Sequence, residues 1–335
     1  MREPRFWARD VDPKSREAAP ILRLLLTPIA WIYADITRRR IRSADAVDVS
    51  PVVICVGNLT AGGVGKSPVV SALRHHIETQ FKLRVATLSR GYKGRLKGPL
   101  KVLSNTHSSK DVGDEPFMLS FAGESWIGAD RALAGQAMAA DGVDVIIMDD
   151  GHQNPGLKKD FSIIVVDAVA GFGNGFVIPK GPLRETIGEG LRRADAIIVM
   201  GDGQAPTEID ATVVPVFRGS IKPAIELPEG RYVAFAGIGR PEKFFDTVQS
   251  LGATLLDSVP FPDHHDFTSG DLRYLRRLAE DHDAQLITTE KDFVRLSEAA
   301  RDGIAYLPIR VEFDMPGPFN QLIHDWMKTR RDVED

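Results

Sequence analysis

The sequence has little cysteine, few aromatic residues and almost no excess of charge. Its 335 residues include one cysteine, Cys55, so no internal disulfide can form, and no cysteine and histidine series has the spacing of a structural zinc site. Aromatic residues make up 7% of the chain, and the formal net charge of −4 gives no general attraction for nucleic acid. Disulfide-rich, zinc-finger and basic nucleic-acid-binding classes are therefore excluded, and a reducing compartment is indicated.

A long uninterrupted apolar run is also missing. The main apolar stretch covers residues 21–36, and one arginine, one proline and one aspartate interrupt its 16 residues. A helix that spans a bilayer needs about 20 apolar residues, so we expect no span. Trp31 and Tyr33 lie in the stretch and an arginine run (residues 38–42) follows it, which is typical of a helix at the lipid headgroup boundary. The alternative is a helix packed on its own domain; neither is a cleaved secretory signal.

Short apolar runs alternate with helical stretches after residue 48. The clearest predicted strands are residues 51–56, 84–88, 143–148, 161–166 and 195–200. This alternation predicts an α/β fold with a doubly wound, mostly parallel sheet, followed by a second, smaller α/β domain. Residues 214–230 contain three prolines and little periodicity, which predicts a crossing linker. The predicted domains are an N-terminal membrane-contacting segment (1–48), a nucleotide-binding domain (49–215) and the smaller domain (216–330), which we expect to contribute to the active-site cleft.

A glycine-rich segment follows the first predicted strand and precedes a helix. Strand, loop and helix in this order are the context of a P-loop, in which backbone amides and the helix N-terminus bind phosphate. Lys66 would reach the β and γ phosphates and Ser67 would hold Mg²⁺, although Thr60 stands where the strict pattern has glycine. The fold is thus predicted to be P-loop NTPase-like. The candidate nucleotide-binding residues are Asn58, Thr60, Ala61, Gly62, Gly63, Val64, Gly65, Lys66 and Ser67.

Acidic residues follow later strands of the same predicted sheet. Asp149 and Asp150 end the strand at 143–148, where a carboxylate would steer Mg²⁺ near the phosphates. The pattern does not say which aspartate holds the metal. Asp114, in the segment 113–116, begins a helix; it is either a capping residue or an oxygen base for phosphoryl transfer to a hydroxyl. Arg90, after the second strand, either contacts phosphate or pairs with a surface acid.

The motifs in this order resemble the tetraacyldisaccharide 4′-kinases, the lipid A 4′-kinase family of Gram-negative bacteria. The segments that carry the resemblance are VGNLTAGGVGKSP (56–68), LSRGY (88–92), GDEP (113–116), DDGHQ (149–153), IPKGPLRE (178–185), AGIGRP (236–241), FPDHHDF (261–267) and TTEKD (288–292). The departure at Thr60 is similar to the family's own pattern. The sequence departs from the family's usual residues at His152, Asn154 and Lys180.

The resemblance implies transfer of the γ phosphate of ATP, with Mg²⁺, to the 4′ hydroxyl of a tetraacylated glucosamine disaccharide 1-phosphate. The product would be lipid IVA, made at the cytoplasmic face of the inner membrane by a monotopic or peripheral enzyme. The expected partners are the lipid disaccharide acceptor and the membrane surface, with no nucleic acid and no obligate protein partner. The family's catalytic pair carries over to Asp114 and His264, and the adjacent His265 is chemically equivalent by sequence.

Further site residues follow from the same resemblance. Glu115 is expected to be a metal ligand, with Ser67, Asp149 and Asp150, or a neighbour of one. The residues expected to contact substrate or support the site are Arg90, Tyr92, Gln153, Arg184 and Glu185. For Arg184 and Glu185 the alternative is a plain surface ion pair. The segment TTEKD is expected to touch the base or ribose.

Two other functions remain open from the sequence. A P-loop GTPase or metallochaperone-type nucleotide switch shares the glycine-rich loop and the parallel sheet. Guanine recognition normally uses an NKxD motif, and TTEKD has the wrong spacing for it. A nucleotide-binding structural module without turnover would leave Asp114 and a histidine of the second domain without a role.

Overall fold

The computed structural model of the chain describes residues 4–12, 14–210 and 212–334, with only the backbone described for residues 330–334. Residues 1–3 and 13 of the predicted segment 1–48 therefore lie outside the described residues. The helices are α1 (Pro20–Arg42), α2 (Lys66–Phe81), α3 (Ser109–Val112), α4 (Asp114–Ala122), α5 (Arg131–Ala140), α6 (Ile187–Leu191), α7 (Pro241–Ser250), α8 (Ser269–Asp281), α9 (Glu290–Phe293) and α10 (Pro316–Glu334). The strands are β1 (Val52–Gly57), β2 (Val85–Ser89), β3 (Leu100–Lys101), β4 (Ser125–Ile127), β5 (Val145–Asp149), β6 (Phe161–Asp167), β7 (Ala196–Met200), β8 (Val216–Pro223), β9 (Arg231–Ala236), β10 (Thr254–Pro260), β11 (Gln285–Thr289), β12 (Ile304–Leu307) and β13 (Ile309–Phe313).

The α/β fold is confirmed, and the five predicted apolar runs form β1, β2, β5, β6 and β7. These strands are buried almost throughout, as expected when both faces of a parallel sheet are covered. The chain passes from one compact unit to the other between Ile221 and Lys222, within the predicted linker at 214–230, but this segment is not irregular, because β8 lies within it and pairs in parallel with β7. Prolines at and beside the ends of β8 hid it, since proline is tolerated at strand ends but reads as a break in the pattern.

The chain forms two compact units that interleave in sequence. The larger unit comprises Pro4–Ala86, Gly135–Ile221 and the residues from Val311 on, and the smaller unit comprises Thr87–Ala134 and Lys222–Arg310. The predicted domains are consecutive blocks of chain, whereas each unit combines separate stretches. This difference arises because sequence periodicity reports local structure, while the units depend on packing between distant segments.

The larger unit is built on a parallel sheet with the strand order β8-β7-β6-β1-β5. Parallel strands end at the same edge of a sheet, and loops at this edge bind ligands in open α/β folds. Val56 of β1 lies in register with Asp149 of β5. The glycine-rich loop after β1 and the two aspartates at the end of β5 therefore lie side by side.

The smaller unit contains a parallel sheet with the strand order β10-β9-β11-β12. Residues of β9 alternate between its two faces: Tyr232, Ala234 and Ala236 pack with Phe244 and Phe245 of α7. Val233 and Phe235 pack instead with Leu275 and Ala279 of α8. The sheet is thus covered by helices on both faces, and the loops after β9, β10 and β11 lie together at its carboxyl edge.

Helix α1 buries one narrow stripe on the larger unit. Ala30, Ala34 and Thr37 are buried at the spacing of one helical face, and Ala34 belongs to the same core cluster as Leu59 and Ile164. Large apolar side chains are exposed on the rest of its surface: Ile21, Leu22, Leu24, Leu25, Ile29, Trp31, Ile32, Tyr33 and Ile36. The helix therefore packs on its own unit and still presents a broad apolar surface.

The length of α1 also differs from the expectation. The helix has 23 residues and extends past the apolar stretch at both ends, so it is about 35 Å long. By length and composition it is the one helix of the described residues that could cross a membrane. The longer helix still contains Arg23, Pro28 and Asp35, so the expectation that it does not span and its position at a membrane both stay predictions.

Candidate active site

The loop between β1 and α2 is shaped by its glycines. Gly62 and Gly65 have φ values of 115° and 86°, a region that residues with a side chain rarely adopt. Gly65 is the N-cap of α2, so the free N–H groups of the first helical turn point into the loop. The positive end of the helix and these N–H groups form an anion-binding site.

Asn58 ties this loop together from inside. Its side chain is fully buried, and Nδ2 donates to the carbonyl oxygen of Thr60 at 2.8 Å. Its Oδ1 accepts from Lys66 Nζ at 3.1 Å. The loop is also held by the chain at 182–183: Ala61 N donates to Pro182 O at 2.7 Å, and Thr60 forms an isolated β-bridge with Leu183. Thr60 therefore stands at a paired position rather than at a flexible one.

The two aspartates after β5 take different partners. Asp149 Oδ2 accepts from Ser67 Oγ at 3.1 Å. Asp150 accepts from Arg184 NH1 at 2.8 and 2.9 Å, and Lys66 Nζ lies 3.4 Å from its Oδ1. Burial alone would raise the pKa of Asp150, but these two cations outweigh it and hold the pKa below its ordinary value.

Ser67 and Asp149 present oxygen atoms side by side at the start of α2. Mg²⁺ prefers oxygen ligands and commonly keeps waters and phosphate oxygens in its coordination shell. No group of three or more histidine, cysteine, aspartate or glutamate side chains forms a metal cluster within the described residues. The donor set therefore fits an ion that is held partly by nucleotide phosphates.

Arg184 and Glu185 do not pair with each other, so the surface ion-pair alternative is wrong. Glu185 is buried and accepts from Arg193 NH2 at 2.8 and 2.7 Å. Gln153 Nε2 donates both to Glu185 Oε1 and to the carbonyl oxygen of Asn58, each at 2.9 Å. These hydrogen bonds connect Arg193 through Glu185 and Gln153 to Asn58, and so they stabilise the phosphate loop. Sequence reasoning missed Arg193, because an arginine before a strand carries no local signal.

The smaller unit brings Asp114 and His264 together. Asp114 is the first residue of α4, and its N-cap Gly113 needs to be glycine because a Cβ there would lie 2.5 Å from Tyr92 O. His264 has a φ of 60°, and its N–H donates to Gly237 O at 3.0 Å. His264 Nδ1 then lies 2.8 Å from Asp114 Oδ2. A left-handed histidine held in this way is a strained position of the kind that clusters at functional sites.

Arg295 is a third member of this cluster that sequence reasoning missed. Its Nε donates to Asp114 Oδ2 at 2.8 Å, and its NH2 lies 3.1 Å from His264 Nδ1. Burial would raise the pKa of Asp114, yet the contacts with His264 and Arg295 together hold it below its ordinary value. A usable signal existed: Arg295 lies three residues after Asp292 of TTEKD, which is one helical turn.

The two adjacent histidines are distinguished by their partners. His265 Nε2 lies 3.0 Å from Asp271 Oδ2, the N3 residue of the capping box that begins α8. Its ring stacks on Phe261 with 4.7 Å between ring centres. His265 therefore supports the end of α8, while His264 faces Asp114.

Three other predicted site residues belong to the smaller unit: Glu115, Tyr92 and Arg90. Glu115 Oε1 lies 3.5 Å from Lys291 Nζ, so Glu115 takes a residue of TTEKD as its ionic partner. Tyr92 is exposed, and its ring stands edge-on to His264 with 6.2 Å between centres. Arg90 is exposed on the surface. Tyr92 is thus the member of this group that the structure brings to His264.

Two departures from the family pattern have clear physical settings. His152 is buried, and burial lowers its pKa to about 3, so the ring is neutral near pH 7. Its Nε2 lies 3.0 Å from Gly190 O, while its Nδ1 has no hydrogen-bond partner among the described residues. Lys180 places its Nζ 3.9 Å from the centre of the Phe176 ring. His152 is a packing residue beneath the phosphate loop, and Lys180 contacts an aromatic ring.

Comparison with known sequences finds one family over nearly the whole chain. The family model described as Tetraacyldisaccharide-1-P 4′-kinase matches residues 22–328. The tetraacyldisaccharide 4′-kinase of Hyphomonas neptunium is 54% identical over 314 residues, which cover 94% of this chain and 94% of that protein. The protein of the same name from Maricaulis maris is 48% identical over 341 residues, which cover 99% of this chain and 98% of that protein.

A solved structure agrees with these sequences. The chain resembles LpxK from Aquifex aeolicus, whose crystal structure was determined in complex with ATP. The two are 27% identical with a TM-score of 0.72, and the match covers 91% of this chain and 99% of that chain. The likeness therefore extends over both units.

Proposed function

Because the chain belongs to the tetraacyldisaccharide-1-P 4′-kinase family, we propose that it transfers the γ phosphate of ATP to the 4′ hydroxyl of a tetraacylated glucosamine disaccharide 1-phosphate. The product would be lipid IVA, an intermediate of lipid A biosynthesis. The observation that carries the proposal is the 2.8 Å contact between Asp114 Oδ2 and His264 Nδ1. Transfer to a hydroxyl requires a group that takes the proton, and a nucleotide switch or structural module has no need of such a pair.

The phosphate end of the reaction belongs to the larger unit. Backbone N–H groups of the loop after β1 bind the phosphates, and Lys66 compensates negative charge on the transferring group. Ser67 and Asp149 are the residues that would hold Mg²⁺, with Asp150 beside them. When bound there, the ion would neutralise charge on the β and γ phosphates. ATP is the proposed nucleotide because the related LpxK was crystallised with it.

The proton end of the reaction belongs to the smaller unit. A free aspartate, with a pKa near 4, is a weak base for a sugar hydroxyl. The imidazole of His264 orients the carboxylate of Asp114 and accepts or shares the proton as it leaves the hydroxyl. His264 has the required position, and His265 does not because it is paired with Asp271.

The direct test is phosphoryl transfer from labelled ATP to the disaccharide lipid, with the unacylated glucosamine disaccharide as control. The proposal expects a labelled lipid product that depends on the acyl chains and on ATP rather than GTP. A preference for GTP without lipid product would favour the nucleotide switch. Nucleotide binding without ADP release in the presence of acceptor would favour a structural module.

We further propose that the enzyme works at the cytoplasmic face of the inner membrane through α1. Its acceptor is a lipid, so a helix that holds the enzyme at the surface raises the local acceptor concentration. The exposed stripe of Leu25, Ile29, Ile32 and Ile36 is available to insert among acyl chains. Since the opposite face of α1 packs on the larger unit, the arrangement favours a helix that lies in the interface over one surrounded by lipid.

The arginine run makes a poor test of this location, because three of its members hold the protein together. Arg38 and Arg42 pair with Glu189, and Arg40 donates to Gln153 O. A sharper test replaces the stripe in the quadruple variant Leu25→Ser, Ile29→Ser, Ile32→Ser and Ile36→Ser, with Arg39→Gln as control. Flotation with anionic vesicles should show loss of binding for the quadruple variant and a loss of about 1 kcal/mol for the control.

Turnover on detergent-dispersed acceptor should change much less in the quadruple variant than turnover on vesicles. Circular dichroism and ATP binding would show that the variant is folded. Vesicle binding that survives the loss of the stripe would mean that α1 is not the membrane contact. The phosphoryl-transfer assay in detergent is independent of that outcome.

A further inference from the structure

Arg295 is a buried arginine whose guanidinium uses each nitrogen for a separate contact within the smaller unit. Nε donates to Asp114 Oδ2 at 2.8 Å, and NH1 donates to Asp292 Oδ1 at 2.6 Å and to Gly237 O at 2.8 Å. NH2 lies 3.1 Å from His264 Nδ1. The side chain is 4% exposed, so solvent does little to weaken these charge-assisted contacts.

Asp292 and Gly237, which contact the guanidinium, are themselves held by further hydrogen bonds. Asp292 is fully buried, and its Oδ2 accepts from Gly237 N at 2.9 Å and from Thr289 Oγ1 at 2.7 Å. Gly237 O accepts from both Arg295 NH1 and His264 N, so one carbonyl fixes the guanidinium and the histidine backbone together. The segments AGIGRP, FPDHHDF and TTEKD thus meet at a rigid frame around the side chain of Asp114.

Arg295 also fixes how Asp114 and His264 face each other. A guanidinium has only N–H donors, so Nε holds Oδ2 of Asp114 as an acceptor. The same Oδ2 lies 2.8 Å from His264 Nδ1, and NH2 of Arg295 lies 3.1 Å from that ring nitrogen. One guanidinium therefore contacts both partners of the pair at the atoms through which they meet.

We propose that Arg295 is a positioning residue for phosphoryl transfer: it fixes the carboxylate of Asp114 and the imidazole ring of His264 against each other. The role rests on the proposed kinase activity and explains why an arginine follows TTEKD by one helical turn. Arg295 touches neither nucleotide nor acceptor in this role; it acts through Asp114 and His264. Loss of a neighbour that orients a reacting group typically lowers the rate by about 10- to 100-fold.

The test compares Arg295→Met with Arg295→Lys in the full-length protein. For Arg295→Met we expect kcat to fall by about 10- to 100-fold while the KM for ATP changes little, because Arg295 contacts none of the phosphate-loop residues. Lysine keeps the charge but its single nitrogen cannot contact all four partners at once, so Arg295→Lys should lie between wild type and Arg295→Met. Added guanidinium should restore part of the activity of Arg295→Ala, whose short side chain leaves room for it, whereas the methionine of Arg295→Met fills most of that space.

A spectroscopic measurement separates positioning from simple stability. Nitrogen-15 shifts of the His264 ring can be assigned by comparison with His264→Gln. In Arg295→Met the shift of Nδ1 should move away from its wild-type value, because Nδ1 loses the NH2 group that lies 3.1 Å away. Arg301→Met is the matched control: Arg301 donates to the carbonyl oxygens of Phe293 and Val294, so its loss should leave both the shifts and kcat near wild type.

Each result decides the proposal. A lower kcat with guanidinium rescue and altered His264 shifts supports it. Unchanged shifts in Arg295→Met overturn it, whether activity is kept or is lost without rescue; if that variant does not fold, the shifts of Arg295→Lys decide in the same way. The shifts need no substrate, so they test Arg295 even if wild type fails to phosphorylate the lipid and the kinase proposal fails.

Discussion

The phosphate loop of the larger unit and the Asp114–His264 pair of the smaller unit are built in opposite ways. The loop is one continuous stretch whose binding groups are mainly backbone N–H groups and a helix N-terminus. The pair is made of side chains from residues 150 positions apart, with Arg295 a further 31 positions on from His264. Backbone sites tolerate most changes of side chain, whereas a side-chain site depends on every member. Function should therefore be more sensitive to single substitutions around Asp114.

The two regions nevertheless solve one electrostatic problem in the same way. Asp150 and Asp114 are both partly buried, and burial alone would raise the pKa of each. In both cases neighbouring cationic or hydrogen-bonding groups lower the pKa instead and keep the carboxylate ionised. Lys66 and Arg184 do this for Asp150, and His264 and Arg295 do it for Asp114. Buried carboxylates near neutral pH therefore remain charged in both units.

The largest expected effect is that of Asp114→Asn. An amide cannot take the acceptor's proton, so transfer should fall by as much as about 10⁴-fold while ATP binding stays near wild type. Steady-state transfer to the lipid acceptor and equilibrium ATP binding would measure the two effects separately. Substantial transfer by a folded Asp114→Asn protein would contradict this, because it would show that the site around Asp114 works without the Asp114 carboxylate.

Lys66→Ala tests the phosphate loop at the side chain that we expect to contact the transferring phosphate. Loss of a charge-assisted contact of roughly 2 to 4 kcal/mol with the transferring group should lower turnover by about 10²- to 10³-fold. Lys158→Ala, which removes a half-exposed lysine paired with Asp48, is the control and should retain activity. Equal activities of the two variants would contradict the phosphate-loop assignment.

His264→Ala and His265→Ala form a matched pair within the side-chain site. His264→Ala should lower transfer by about 10- to 100-fold, and the double variant with Asp114→Asn should add little, because partners in one unit act non-additively. His265→Ala removes only the contact with Asp271 at the start of α8, so transfer should stay near wild type. The opposite ranking in transfer assays would move the catalytic role to His265.

The smallest expected effect is on the free energy of unfolding and involves His152, which packs beneath the phosphate loop. The pKa of His152 is about 3 in the folded protein against an ordinary value of 6.5, so the unfolded chain takes up a proton first as pH falls. The free energy of unfolding should therefore fall below pH 6.5, by about 1.4 kcal/mol at pH 5.5 relative to His152→Phe. Denaturant unfolding of both proteins at pH 7.5 and 5.5 measures the difference. Parallel losses in the two proteins would place the pH dependence elsewhere.

The sequence predicts the backbone-built region well because its signal is local. The glycines of the phosphate loop, Lys66 and the aspartates after β5 each occupy positions that neighbouring residues define. The motif resemblance also names Asp114 and His264, but only the fold separates His264 from His265. Arg193 carries no local signal, and the i,i+3 spacing of Arg295 from Asp292 indicates only that local pair, since Asp114 and His264 are brought to Arg295 by long-range packing. The interleaving of the two units has no local signal either.

The interleaved order of the two units has a consequence for synthesis on the ribosome. Residues from Val311 on belong to the larger unit, and Phe319, Ile323 and Met327 of α10 are buried at its core. These side chains leave the ribosome only after every residue of the smaller unit has been made. Domains commonly fold in order as they emerge, but here the N-terminal chain must wait for the C-terminus to cover its apolar surface. A nascent chain stalled near residue 310 would carry every proposed catalytic residue and still be a substrate for chaperones and proteases.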